Sequence, residues 1–160
     1  MKTLLACALL ALGATSAAPA IAQGTASTAP QLNITTKSAL ELADYATKLA
    51  AGRNMKICIA VTDADGHLLA FTRMQGAYAG CVEASIAKAK SAARFSVNTI
   101  LFYDLARKEN LAIGTIPGIL PAVGGVILKQ GGATVGAVGV SGDQDLTEQA
   151  LAEDTGKHFQ

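Results

Sequence analysis

Apolar and polar positions follow a period of two from Met55 to Thr62, with Ile57, Ile59 and Val61 on one face and Cys58, Ala60 and Thr62 on the other. That is a β-strand, and since neither face is strongly polar, both are expected to be covered. Asp63-Ala64-Asp65-Gly66 supplies a turn, because Asp side chains bond nearby backbone N–H groups and Gly66 accepts a positive φ. Leu68 to Arg73 returns as the partner strand. A second hairpin follows the same logic: Val126 to Leu128, a turn at Lys129-Gln130-Gly131-Gly132, and a return arm from Ala133 to Val140.

Outside these hairpins the period changes to three and four. Thr35 or Thr36 caps a helix whose buried stripe is Ala39, Leu42 or Ala43, Ala46 and Leu49 or Ala50, ended by Gly52. Val82 to about Phe95 is a second helix; its small residues Ala84, Ala87, Ala89, Ala92 and Ala93 permit close packing, and Lys88, Lys90 and Arg94 make one side basic. Asn98 or Thr99 caps a shorter helix through Leu101, Tyr103, Leu105 and Ala106, ended near Asn110. Leu111 to Gly125 is too rich in Gly and Pro for a regular helix and reads as a long surface loop. Gly136 and Gly139 mark a close approach, by a packed helix in preference to a ligand. A last helix, Gln144 to about Lys157, is expected to turn Leu146, Ala150 and Leu151 inward. This order predicts an α+β fold with an antiparallel sheet, since parallel strands would need a crossover between each pair.

The 160 residues allow one domain with an ordinary core. Residues 1–22 read as a signal peptide: Lys2 precedes an apolar run from Leu4 to Leu12, and Ala20, Ile21 and Ala22 offer a cleavage site before Gln23. Leu4-Leu5-Ala6-Cys7 does not follow the apolar region, so it is in the wrong place for a lipid anchor. Residues 23–31 are expected to form a flexible leader and 32–160 the folded domain, in a protein exported to the bacterial periplasm or beyond. No later segment is continuously apolar enough to insert in a membrane. Losing Lys2 takes the basic count from 13 to 12 against 12 acids, so the mature chain is formally neutral and nothing steers it to nucleic acid. Cys58 and Cys81 then remain as the two thiols. A disulfide is arithmetically open to them, but two buried small apolar residues is the favoured reading.

The combination of Asp63 with Gly66, Arg73-Met74-Gln75-Gly76-Ala77, Lys88-Ala89 with Ala92, and Gly136-Ala137-Val138-Gly139-Val140-Ser141-Gly142 resembles the GlcG/HbpS family, which includes the C-terminal domain of PduO-type corrinoid adenosyltransferases. The resemblance runs from about Leu32 to Phe159. Gln75 stands where an acidic residue is expected, and Ile127 where a proline is. The resemblance implies a profilin-like sandwich, binding of haem or, alternatively, a corrinoid, and a homo-oligomer with an octamer as the specific form. Neutral charge, the Ala-rich helix and the apolar residues from Ile116 to Val123 point to self-association as well.

Candidate ligand groups follow from chemistry. His67 beside the first turn offers an imidazole nitrogen to iron, and Tyr78 and Tyr103 offer phenolic oxygens. Arg73 and Lys88, with Lys90, are cations suited to haem propionates. Met74 reads as core, and His158 sits near the end of the last helix. Two distant histidines without clustered cysteines make no zinc site, the Gly-rich loop lacks the Lys and Ser/Thr of a P-loop, and Ser141 lacks a triad setting. The residues therefore favour binding over catalysis. The competing readings are a cofactor-free enzyme or metabolite binder that holds a carboxylate with Arg73, and an accessory module of a sensor or transport system.

Overall fold

The computed structural model describes residues 30–108 and 110–160. The signal peptide 1–22 and most of the leader 23–31 lie outside the described residues. The compact unit Gln31–Gln160 is an α+β sandwich, ordered α1 (Thr36–Gly52), β1 (Cys58–Asp63), β2 (Leu68–Arg73), α2 (Cys81–Phe95), α3 (Ile100–Lys108), β3 (Gly125–Gln130), β4 (Ala133–Ser141) and α4 (Asp145–Phe159). The four strands form one antiparallel sheet in the order β2-β1-β4-β3. Helices α1 and α4 cover one face and α2 the other.

The pleat explains this layering. Ile57, Ile59 and Val61 meet Val138, Val140, Leu42, Ala46 and Leu151 in the main core, while Cys58 faces α2. Central strands β1 and β4 are buried on both faces and so carry near-continuous apolar runs. Each fully buried Ile, Val or Leu contributes about 1.5–3 kcal/mol. Thr35 caps α1 by accepting the Ser38 N–H at 3.1 Å. Gly66 closes the first turn at φ +84°. Gly139 is where α2 lies on β4: a Cβ there would strike the Ser85 carbonyl oxygen and the Ala89 nitrogen, so the close approach is helix packing.

Five expectations are corrected. Cys58 and Cys81 are paired, because the pleat sets Cys58 toward the first residue of α2 with a Cα–Cα distance of 5.5 Å. On α4, Leu146 is 76% exposed and Ala150 is also outside; the inward stripe is Glu148, Leu151, Ala152 and Thr155. Lys88 leaves the basic side of α2 and points into the protein. Asn98 and Thr99 spend their side chains on β3, accepting the N–H groups of Ile127 and Gly125, both at 3.0 Å. Lys129 and Gln130 extend β3, leaving Gly131 and Gly132 as the turn, and the long loop begins with a 3₁₀ turn, Leu111–Thr115.

Two stability outcomes are expected. Thr62 is fully buried and its hydroxyl has no hydrogen-bond partner among the described residues. Thr62→Val removes an unsatisfied polar group at nearly constant shape and should raise unfolding free energy by about 1 kcal/mol in urea titrations. The Cys58–Cys81 bridge closes a loop with sequence separation 23. The paired Ser substitution should lower stability by about 3 kcal/mol, and the wild type should lose the same amount on reduction.

Candidate functional site

A strand of six residues carries its two ends far apart, and this decides how the candidate residues are grouped. Cys58 pairs with both Arg73 and Ser141 at one end of the sheet, whereas Asp63 pairs with Gly136 at the other, beside the turn that carries His67. His67 and Arg73 are thus separated by about 20 Å along β2. The structure does not bring the five candidates together within one chain.

At the turn, Asp63 organises the loop. Its Oδ1 accepts the backbone N–H groups of His67 at 2.7 Å and Asp65 at 3.0 Å, while its Oδ2 lies 3.2 Å from His67 Nδ1. An ionised carboxylate only accepts, so in the neutral imidazole Nδ1 carries the proton and Nε2 keeps its lone pair outward. The His67 side chain is 72% exposed. Asp63, Asp65 and His67 hold their ligand atoms within 4.8 Å of one another, and α2 adds a cation: Arg94 Nε donates to the Asp65 carbonyl oxygen at 3.0 Å. Asn33 Oδ1 accepts the Ala64 N–H at 2.9 Å and also lines a cleft of about 650 Å³ formed with Ile34, Lys129, Gly132 and Phe159. One end of the molecule therefore combines an exposed imidazole, the Arg94 guanidinium and a mainly polar cleft that includes Ile34, Lys129 and Phe159.

The other candidates are placed differently. Arg73 donates to the Ala77 carbonyl oxygen at 2.6 Å and so holds the loop Met74 to Ala77; Tyr78 follows it, 55% exposed. Met74 packs on the main core as expected. Tyr103 lies on α3, its hydroxyl between Asp145 Oδ2 at 3.4 Å and Arg107 at 3.2 Å. His158 stacks on Tyr45 with centroids 3.6 Å apart. A second, open cleft of about 710 Å³ runs along β3 between α3 and α4, floored by Leu101, Val126 and Ile127, and none of the five candidates lines it.

Lys88 is committed internally. Its ammonium donates to Glu148 Oε2 at 2.5 Å, Val140 O at 3.0 Å and Ser141 Oγ at 3.4 Å, which uses all three donors and leaves none for a propionate. Glu148 Oε1 in turn accepts the N–H groups of Gly142 at 2.5 Å and Asp143 at 2.9 Å. Both side chains are under a tenth exposed. Sequence reasoning missed Glu148 because an acid in the first turn of a helix usually reads as a solvated dipole partner. The available signal was its position three residues before Leu151, on what proves to be the buried stripe.

Comparison with known proteins gives consistent results. A family model described as "Haem degrading protein HbpS-like" matches residues 34–155. Protein GlcG of Escherichia coli K12 is 35% identical over 92 residues, covering 58% of this chain and 69% of that protein. Among solved structures, a double mutant of Streptomyces reticuli HbpS superposes with a TM-score of 0.78 at 24% identity, over 91% of this chain and 99% of that one. A PduOC:heme complex gives 0.71 at 19% identity, over 79% and 94%. Likeness at those identities speaks for the fold.

Lys88→Met leaves a buried carboxylate without its cation and should cost about 3–5 kcal/mol in denaturant unfolding, far more than Lys90→Met on the same helix. Equal, small effects would mean that solvent reaches Glu148.

Proposed function

The chain belongs to the HbpS-like family, and on that premise we propose that it binds haem or a related tetrapyrrole, a corrinoid being the alternative ligand, as an exported homo-oligomer. The observation that carries the reading is His67, whose Nδ1 is engaged by Asp63 while Nε2 faces outward. A carboxylate behind an imidazole fixes its orientation and raises its basicity as a ligand. Haem, when bound, would supply an iron, and His67 would be the residue to hold it through a ring nitrogen. Arg94 beside the turn is suited to a propionate, and the neighbouring cleft, polar for most of its lining, adds Ile34 and Phe159 as apolar contacts. The residues at this end therefore fit the group. Two further points support it: the family's description names haem, and a structural neighbour was solved with heme bound.

Export is supported by the leader pattern ending at Ala22 and by the Cys58–Cys81 bridge, which suits an oxidising compartment. Among the described residues no helix is long and apolar enough to cross a membrane. A second reading, haem breakdown, rests on the family's description. It is read from the same sample as loss of the Soret band over time with reductant and oxygen.

Titration of the protein with haem should give a shifted Soret band that saturates at a fixed ratio. His67→Ala should weaken binding roughly tenfold or more and change the iron's spectral signature, whereas Tyr103→Phe should do neither. Uptake that rises linearly without saturation in the wild type overturns the binding reading. Saturable binding unchanged in His67→Ala removes His67 from the iron-holding role.

A further inference from the structure

Helix α3 is held to the rest of the molecule at its ends, and the cleft it leaves beside β3 is charged in a definite order. At its start Asn98 and Thr99 bond β3, and further on the Tyr103 hydroxyl lies 3.4 Å from Asp145 Oδ2 at the start of α4. The space between, about 710 Å³, falls in the usual range for a small-ligand site, and Leu101, Val126 and Ile127 make its floor apolar. Helix α4 runs alongside in the same direction as β3, since Gln149 bonds the Gly124 N–H while Gly156 abuts Val126 and Ile127. Glu153 therefore lies level with the start of β3, and Lys157 and Lys129 lie toward its end. Asp104, one turn beyond Leu101 on the helix that heads for Asp145, joins Glu153. The cleft thus has two carboxylates at one end and two ammonium groups at the other.

These charges are only weakly satisfied within the chain. Glu153 Oε1 accepts the neutral amide of Gln149 at 2.8 Å, and among the described residues Lys129 has no ion-pair partner. Asp104 and Lys157 pair along their own helices, with Lys108 at 3.5 Å and Asp154 at 3.2 Å, in exposed contacts of little strength. Asn98 uses its Oδ1 on the Ile127 N–H and keeps its amide N–H donors for an occupant. The outward N–H groups of Gly125 and Ile127 are already taken, so that occupant cannot add to β3 as a strand and must be held by its ends and side chains. We propose that the cleft binds a short apolar peptide with free termini, its ammonium between Asp104 and Glu153 and its carboxylate at Lys129 and Lys157. Val126 to Lys129 covers about 10 Å of extended strand, and three extended residues span about the same. The apolar side chains of such a peptide cover Leu101, which is 48% exposed, and the floor beside it. An internal segment of an intact protein brings neither terminal charge, so the site selects products of peptide-bond hydrolysis. His67 and Arg94 do not line it, and binding here does not require a tetrapyrrole at the turn.

Calorimetric titration of the protein with the unblocked tripeptide Ala-Leu-Ala should saturate at a fixed ratio of peptide to chain. The N-acetylated form should bind about tenfold more weakly, the loss expected when a charge-assisted hydrogen bond goes unmade. Combining Asp104→Asn with Glu153→Gln should bring the two forms to one affinity, because that variant no longer distinguishes an ammonium from an amide. Leu101→Glu, at an exposed position, should abolish binding of both forms while circular dichroism stays that of the wild type. No saturable binding to the wild type at millimolar tripeptide overturns the proposal. Equal wild-type affinity for the blocked and unblocked forms overturns it as well. A preference for the unblocked form that survives the double substitution, or an affinity that Leu101→Glu leaves unchanged, puts the peptide elsewhere on the molecule and also overturns it.

Discussion

The ion pair between Lys88 and Glu148 is the constraint on which the rest of the sandwich depends. A buried ammonium and carboxylate each lose several kcal/mol of hydration, and only dense local bonding offsets that loss. Here it is supplied by Val140 O and Ser141 Oγ on one side and by the N–H groups of Gly142 and Asp143 on the other. The pair thereby locks α2, the end of β4 and the start of α4 into one geometry. It also fixes the neighbouring loop: Gly124, at φ +95°, passes so close that a Cβ would meet the Val140 carbonyl oxygen, and its N–H bonds Gln149 Oε1 at 2.7 Å.

Small residues make that geometry possible. Ala89, Ala92 and Ala93 let α2 settle on β4, where Gly139 admits the helix backbone itself. Seated over β4, β1 and the edge strand β3, α2 does not extend across β2, and this is why β2 keeps an uncovered face. The far edge is closed by the two polar residues that lead into α3. The contrast between edges is thus a consequence of where α2 is seated.

The same architecture sorts the chemistry by depth. His67 stands on a turn outside the sheet, where Asp63 can orient it without burying it. Lys88, on the helix against the sheet, is drawn into structure. Position relative to α2, more than residue type, separates the groups open to a ligand from those that hold the fold.

The amino-acid sequence by itself determined the elements of the chain. The two hairpins, the capped first helix, the turn at Gly66 and the α+β order follow from local periodicity, caps and glycine, which depend on near neighbours in sequence. The family words from Asp63 to Gly142 were equally legible. The bond between Cys58 and Cys81 was open in the sequence but not decided, because it depends on a distance across the pleat. The orientation of α4 was misread, since apolarity alone points to Leu146 and Ala150, and only a lysine sixty residues earlier makes Glu148 the inward residue. The candidate site was legible as residue types and not as a place: His67 immediately precedes β2 and Arg73 ends it, and the extended backbone between them sets the two at opposite ends of the sheet. Those matters rest on contacts between distant segments, and tertiary packing alone brings such segments together.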